Sequence, residues 1–445
     1  MLRLNKRIVG VHMDQDTLLL KDKLLAEYDA FFDKNGVSGK RMAERLDALS
    51  KIGRTSSKGS NRPGFSHEEK AAKELVMQWM AEAGLDAKMD GAGNVFGRLA
   101  GKKADAPAIL SGSHVDSVPN GGHFDGPLGV LAALEVAEAW KATNYRPEKP
   151  YEVVIFSDEE GSRFQEGLSG SEAMMGKVDR QAKIKRRDTA GVLFADVLAD
   201  VDLSVEGYFA AKRDLNKIAG FVEVHIEQGK RLEKAGLPCG IVTGIAGPHW
   251  LFLTFEGEAG HAGNTPMDDR RDALVAASAF IVACSELPRQ INTTSVVTVG
   301  KLFVEPNGVN VIPGKVSLYV DVRDIHLDTR DELVQRVLEI SRDISEKYGV
   351  KVTHEDLLIT PPVPVSEEQQ EKMKQALEAN QIDPYYLPSG AGHDSQIVGS
   401  HLPMTMLFVQ SKDGISHNPA EWTDLNHCVQ AVHVLKTYLE SIQDD

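Results

Sequence analysis

The order of apolar segments predicts an α/β protein with a large, mostly parallel sheet, interrupted by a smaller inserted ferredoxin-like α+β domain. Three observations carry that reading. Through the first half of the chain, strand-length apolar runs alternate with helical patterns, as parallel sheets covered by crossover helices require. Near Gly244 the order changes to βαββαβ, the split pattern of a ferredoxin-like domain. The proline cluster Pro361, Pro362 and Pro364 then precedes a last strand and helix that return to the first pattern. The expected boundaries are 1–244, 245–361 and 362–445, the first and last forming one domain.

Each element has a local reason. Residues 18–25 and 43–49 carry apolar side chains at helical spacing, and the polar run RTSSKGSNRP (54–63) is a loop. Ser66 followed by Glu69 is a capping-box signal, after which Ala72, Leu75, Val76, Trp79 and Ala83 share one helix face until Gly84 ends it. Strands are expected at 94–99, 108–113, 151–156 and 221–226, with a helix at 130–140. In the insert the expected order is a strand at 249–256, a polar loop at 257–269 and a helix at 270–283. Strands at 295–303 and 315–322, a helix at 331–348 and a strand at 350–354 complete it. A strand at 404–409 and a helix at 425–439 finish the large domain.

At 445 residues the chain exceeds what one core usually holds. It is 42% hydrophobic and 26% charged, an ordinary globular composition. The formal charge of 50 − 65 = −15 disfavours nucleic acid and anionic membrane as partners. The N-terminus MLRLNKRIVGVHMDQD reaches charge before an apolar run long enough for a signal peptide, and no stretch has membrane-helix length. Three widely spaced cysteines, Cys239, Cys284 and Cys428, suggest neither a disulfide framework nor a thiolate zinc site, so a reducing cytoplasm is expected.

Chemistry concentrates at strand ends. GSHVDSVPNGGHFDG (112–126) sets His114, Asp116 and Asp125 around a Gly/Pro turn after an apolar strand, where α/β folds usually place their sites. A second strand runs straight into Asp158, Glu159 and Glu160, and His225 and His417 follow further apolar runs. One histidine is weak evidence, but imidazoles and carboxylates together suit divalent ions. Two such sets sharing Asp125 as a bridge would hold two ions about 3.5–4 Å apart. Asp116 is placed to orient the His114 imidazole. Extended glutamates 159 and 160 point opposite ways, so one can ligate while the other acts as general base.

Eight segments in order, GSHVDSVPNGGHFDG, SDEEGSRF, VEVHIEQG, GHAGNTPMDDRRDA, NVIPG, DVRD, AGHD and GISHNP, span nearly the whole chain. Together they resemble the N-carbamoyl-L-amino-acid hydrolases, relatives of β-ureidopropionase and allantoate amidohydrolase in the aminoacylase and carboxypeptidase clan of dinuclear metallohydrolases. The resemblance implies two divalent ions per subunit, with zinc, manganese, cobalt or nickel all compatible. Their ligands are His114, Asp125, Glu160, His225 and His417, with Asp125 bridging. Glu159 falls at the general base, and Asp116 counts with it among the catalytic residues as the group that orients His114. Gln228 falls at a contact to the ureido group, and Arg323 at the contact to the substrate α-carboxylate. His261 and Asn310 match residues that contact substrate and stabilise the oxyanion. Gly392 and His393 match the loop over the substrate.

The same resemblance implies hydrolysis of a carbamoyl C–N bond to amino acid, ammonia and carbon dioxide. It makes the insert a lid and dimerisation domain of a homodimer, hinged near Gly244 and 361–364, with the oxyanion histidine available from the partner. The turn 118–122 favours N-carbamoyl-L-amino acids over allantoate or ureidopropionate, whereas His123 stands where relatives commonly carry arginine or lysine. Further alternatives are an N-acyl-amino-acid hydrolase or peptidase, and a non-catalytic metal-stabilised binding protein. Glu159, which a merely structural site does not require, speaks against the last.

Overall fold

The computed structural model describes residues 19–443. Leu18 of the first helical pattern, and the N-terminal run read above for a leader, lie outside the described residues. The chain folds as two compact units. One contains the chain up to Gly240, Lys372–Tyr385 and the chain from Met406 on; the other contains Ile241–Glu371 and Tyr386–Thr405. The second thus takes in 245–361 together with flanking segments on both sides.

The first unit is built on a sheet in which Asp86–Met89, Val95–Leu99, Tyr151–Phe156, Ala108–His114, Ile218–Ile226 and Met404–Val409 lie side by side in that order. Ala108–His114 pairs in parallel with both Tyr151–Phe156 and Ile218–Ile226. All residues of Ala108–His114 and Tyr151–Phe156 are buried, which explains why they read as unbroken apolar runs rather than alternating ones. The edge departs from the parallel pattern: Val95–Leu99 runs antiparallel to Tyr151–Phe156, and Asp86–Met89 antiparallel to Val95–Leu99. The edge strand DAKM has no apolar run and was not expected from its composition.

The crossover helix Pro127–Thr143 begins on Gly126 (φ 80°) with Pro127 at its first position, where a missing N–H costs nothing. Leu128, Val130, Leu131, Leu134 and Trp140 on it are fully buried, each contributing roughly 1.5–3 kcal/mol relative to exposure. In the helix His67–Ala83, Ser66 Oγ accepts from Glu69 N, and Gly84 (φ 92°) ends the helix in the left-handed conformation. Here the capping box is altered: the Glu69 carboxylate accepts from Phe65 N and Asp158 N.

In the second unit the chain order βαββαβ is realised by Gly247–Glu256, helix Ala273–Glu286, Val296–Glu305, Lys315–Asp324, helix Leu327–Tyr348 and Lys351–Ile359. Its antiparallel sheet has the order fourth, first, third, second strand. Leu251, Leu253, Phe255, Val316, Leu318 and Val320 pack from the sheet with Ala277, Phe280, Leu333 and Val337 from the helices into one core. The last strand extends to Ile359, five residues beyond the expected end, and is exposed along most of its length, so it lacks the apolar signal of a buried strand. Among the described residues, no helix is long and apolar enough to cross a membrane.

Three neighbouring strands therefore deliver their carboxyl ends to one edge of the sheet: His114, Ser157–Glu160 and His225. The spacing there is tight, since a Cβ on Gly112 would lie 1.9 Å from the Val154 carbonyl oxygen. Gly112→Ala is expected to destabilise the protein by about 1–3 kcal/mol or more, the cost of overpacking. A denaturant midpoint unchanged from wild type would refute that packing.

Candidate metal centre

His114, the last residue of its strand, is fully buried. Its Nδ1 lies 3.2 Å from the Asp116 carbonyl oxygen and 3.4 Å from Asp116 Oδ1, while its Nε2 lies 3.6 Å from both Asp125 Oδ1 and Glu159 Oε2. That buried Nε2 has no hydrogen-bond partner among the described residues, an arrangement that suits a metal ligand and otherwise carries a desolvation cost. His225 Nδ1 lies 3.0 Å from the Ile226 carbonyl oxygen, and its Nε2 is 3.1 Å from the same Asp125 Oδ1. The two imidazoles stack at 5.9 Å between centroids.

On the other side of Asp125, His417 Nε2 lies 3.5 Å from Oδ2 and 3.3 Å from Glu160 Oε2. The result is two ligand groups, His114/Asp125/His225 and Asp125/Glu160/His417, each with its atoms within 4.8 Å of one another, and Asp125 belongs to both. Asp125 itself is held tightly. Glu421 Oε1 accepts from the backbone N–H of Phe124 (2.8 Å) and Asp125 (3.1 Å), and Oδ2 of Asp125 accepts from Ser416 Oγ (2.7 Å) and Gln228 Nε2 (2.8 Å).

The electrostatics follow from this crowding. Burial would raise the Asp125 carboxyl, but the charges of His225 and His114 and the hydrogen bonds from His225 and Ser416 hold it well below the usual carboxylate range. Glu160 goes the other way: burial, then the Asp125 charge, pushes it well above that range. Glu421 is pushed up to about 7 by burial and by Asp125. Several buried carboxylates converging on imidazoles form a cradle that divalent cations would compensate, so the donor set fits such ions. Asp116 braces the centre by accepting from Glu159 N (3.2 Å) and Glu160 N (3.0 Å). Asp158 (φ 53°), Gln228 (φ 55°) and His417 (φ 55°) all adopt the left-handed backbone, which non-glycine residues rarely do.

A family model for peptidase family M20/M25/M40 matches residues 110–441. The chain belongs to this family. It is 42% identical over 399 residues to the N-carbamoyl-L-amino acid amidohydrolase of Geobacillus stearothermophilus, covering 90% of this chain and 97% of that one. It is 35% identical over 402 residues to the allantoate amidohydrolase of Bacillus subtilis strain 168, covering 89% and 96%. The crystal structure of an amidase of the hydantoinase/carbamoylase family from Burkholderia multivorans superposes with a TM-score of 0.85 at 33% identity, covering 91% and 98%. The protein is thus a hydrolytic enzyme of a metal-dependent family.

The candidate residues His261, Asn310, Arg323, Gly392 and His393 belong to the chain's second unit. There, His261 and Asn310 are neighbours and both exposed: Ala262 N donates to the Asn310 carbonyl, and Gly263 N to His261 Nδ1. Arg323 donates through Nε and Nη2 to Asp321 at 2.8–3.1 Å and through Nη1 to the Gly390 carbonyl at 2.7 Å. Gly392 is exposed, whereas the His393 ring is buried with Nε2 3.0 Å from Ser389 Oγ. His123 is pinned between Ser60 Oγ (2.8 Å) and the Lys58 carbonyl (2.9 Å). Glu421 and Ser416 were not anticipated. Ser416 lies within the ligand loop GISHNP and Glu421 follows closely on it, but the amides that Glu421 caps lie almost 300 positions earlier in the chain.

A Cβ on Gly126 would meet the His114 ring at 2.4–2.6 Å. Metal-stripped wild type is expected to gain thermal stability on addition of Mn2+ or Zn2+, as any ligand of the native state confers. Gly126→Ala should lose most of that gain; an equal metal-induced rise in midpoint for both proteins would contradict this account of the cradle.

Proposed function

We propose that the protein hydrolyses the carbamoyl C–N bond of N-carbamoyl-L-amino acids, consuming water and releasing the L-amino acid, ammonia and carbon dioxide. The observation that carries this reading is the Asp125 carboxylate shared between two ligand groups beside Glu159. The names of the Geobacillus and Bacillus relatives support a carbamoyl or ureido substrate. In this reading His114, Asp125 and His225 hold one divalent ion, and Asp125, Glu160 and His417 the other. When bound, such ions supply Lewis acidity and lower the pKa of water.

The protein's own groups do the rest. Glu159 takes a proton from the attacking water and returns it to the leaving amine nitrogen. Asp116, bonded to the Glu159 and Glu160 amides, keeps that carboxylate aimed. Gln228, whose Nε2 now bonds Asp125 and Ser416, turns its amide to the ureido group. Arg323 takes the α-carboxylate, for which a planar guanidinium fork is suited, and its Asp321 partner fixes the fork's orientation. His261 and Asn310 stabilise the developing oxyanion, a contribution of a few kcal/mol for each well-placed donor. Gly392 and His393 belong to the loop over the substrate.

The assembly proposed is a homodimer through the segment 245–361, which also acts as a lid. The exposed Val282, Phe303 and Ile359 of that segment support an interface. A cytoplasmic location suits the three free, buried cysteines. The sister reading, allantoate hydrolysis, is favoured by the Bacillus relative.

Ammonia release from N-carbamoyl-L-amino acids should exceed that from allantoate and from N-carbamoyl-β-alanine, with N-acetylated amino acids untouched. Glu159→Gln is expected to keep its metal and lose at least about a hundredfold in turnover. Normal turnover in that variant would remove Glu159 from the base role.

A further inference from the structure

The chemistry proposed above leaves one buried ion pair unused. Glu69 and Lys73 sit one helical turn apart, with side chains 2% and 3% exposed and Nζ 2.6 Å from Oε1. Taking both charges out of water costs several kcal/mol per ion before their attraction is counted. A helix cap does not require it, since Ser66 Oγ already caps the helix at the Glu69 amide.

The pair's other contacts lead to the strand end that carries the two glutamates. Four consecutive backbone N–H groups there are each taken by a side-chain oxygen from elsewhere in the chain. Ser157 N donates to Asn94 Oδ1 (3.1 Å), and Asp158 N to Glu69 Oε1 (3.2 Å). Glu159 N and Glu160 N donate to the two oxygens of Asp116 (3.2 and 3.0 Å). Lys73 Nζ also donates to Ser157 Oγ at 2.7 Å. The segment needs such hold because Asp158 is left-handed, with φ 53°, and its carboxylate is buried against Ser169 Oγ at 2.6 Å. Packing at this corner is closed as well, since a Cβ on Gly64 would lie 2.0 Å from Asp158 Oδ1.

We infer that Glu69, held by Lys73, is a positioning residue: it captures the Asp158 amide, fixes the left-handed turn, and so aims Glu159 and Glu160 at one centre. Asn94 and Asp116 anchor the turn on either side, and Ser169 holds the carboxylate of its left-handed residue, but among the described residues it is Glu69 that takes that residue's amide. The effect on Glu159 rests on the base role proposed above; the effect on Glu160 does not. Both oxygens of Glu69 are acceptors, Oε2 for Phe65 N at 2.6 Å and Oε1 for Asp158 N and Lys73. Glutamine offers a single acceptor oxygen, so Glu69→Gln must turn its NH2 toward at least one of these three donors and lose that bond.

The test uses full-length, metal-stripped protein titrated with Mn2+ in a calorimeter, together with steady-state kinetics on N-carbamoyl-L-amino acids. The variants are Glu69→Gln and the double variant Glu69→Leu/Lys73→Met, which replaces the pair by apolar groups of similar volume and leaves no orphan charge. In the double variant the weaker of two Mn2+ affinities should fall at least about tenfold with the stronger unchanged, the usual scale for losing a bracing partner. Its kcat should fall by at least about tenfold with KM little moved, and Glu69→Gln should lie between it and wild type. A purely structural role would lower the melting midpoint without that split between affinities or between kcat and KM. Folded variants with wild-type Mn2+ affinities and kcat overturn the inference, as does a wild type that binds no second Mn2+. If the double variant fails to fold, Glu69→Gln decides alone, and its equality with wild type overturns the inference. If wild type binds two Mn2+ yet releases no ammonia, the proposed substrate reading fails while the titration still decides the role of Glu69.

Discussion

One carboxylate organises this molecule. Asp125 turns one oxygen to two buried imidazoles and the other toward His417, so two three-atom ligand groups meet on a single side chain. Such a group is stable only if its position is fixed by bonds that do not use up the oxygens it must offer. The structure does this in part through the backbone, where Glu421 holds the Asp125 amide; Ser416 and Gln228 donate to Oδ2 directly and leave Oδ1 to the two imidazoles. The ligand loop at 416–421 is thereby tied to the loop at 122–126, and His417 is brought to Asp125 by the same bonds that orient Asp125.

The sheet supplies what loops alone cannot. Three adjacent parallel strands, buried over all or most of their length, end together at one edge of the sheet. Rigidity comes from apolar burial that has nothing to do with chemistry. The centre then spends some of that stability on buried carboxylates, left-handed residues at 158, 228 and 417, and glycines through which neighbouring groups pass at close range.

Much of this was legible in the sequence, and the exceptions have physical causes. Buried parallel strands must be apolar on both faces, so Ala108–His114 and Tyr151–Phe156 stand out as runs, and the residue types at their ends stand out with them. The antiparallel edge at Asp86–Met89 and the exposed residues 355–359, by which the last strand of the insert outruns its expected end, bury too little to leave a pattern. Glu69 reads as half of a capping box, and it is one by its amide, but its carboxylate works on a strand end 89 positions away. Glu421 carries no local pattern because Oε1 takes two backbone amides, which every residue has, and its side-chain partner Ser416 is a common residue type. Residues that bond side chains of distinctive type leave a signature; residues that hold backbone do not.

The shared carboxylate is tested most directly by counting metal ions in purified protein by elemental analysis after reconstitution and removal of excess metal. Two ions per chain are expected in wild type, one each in His225→Ala and His417→Ala, and fewer than one in Asp125→Ala, because only that side chain belongs to both groups. An Asp125→Ala protein that is folded and still holds two ions would contradict the account.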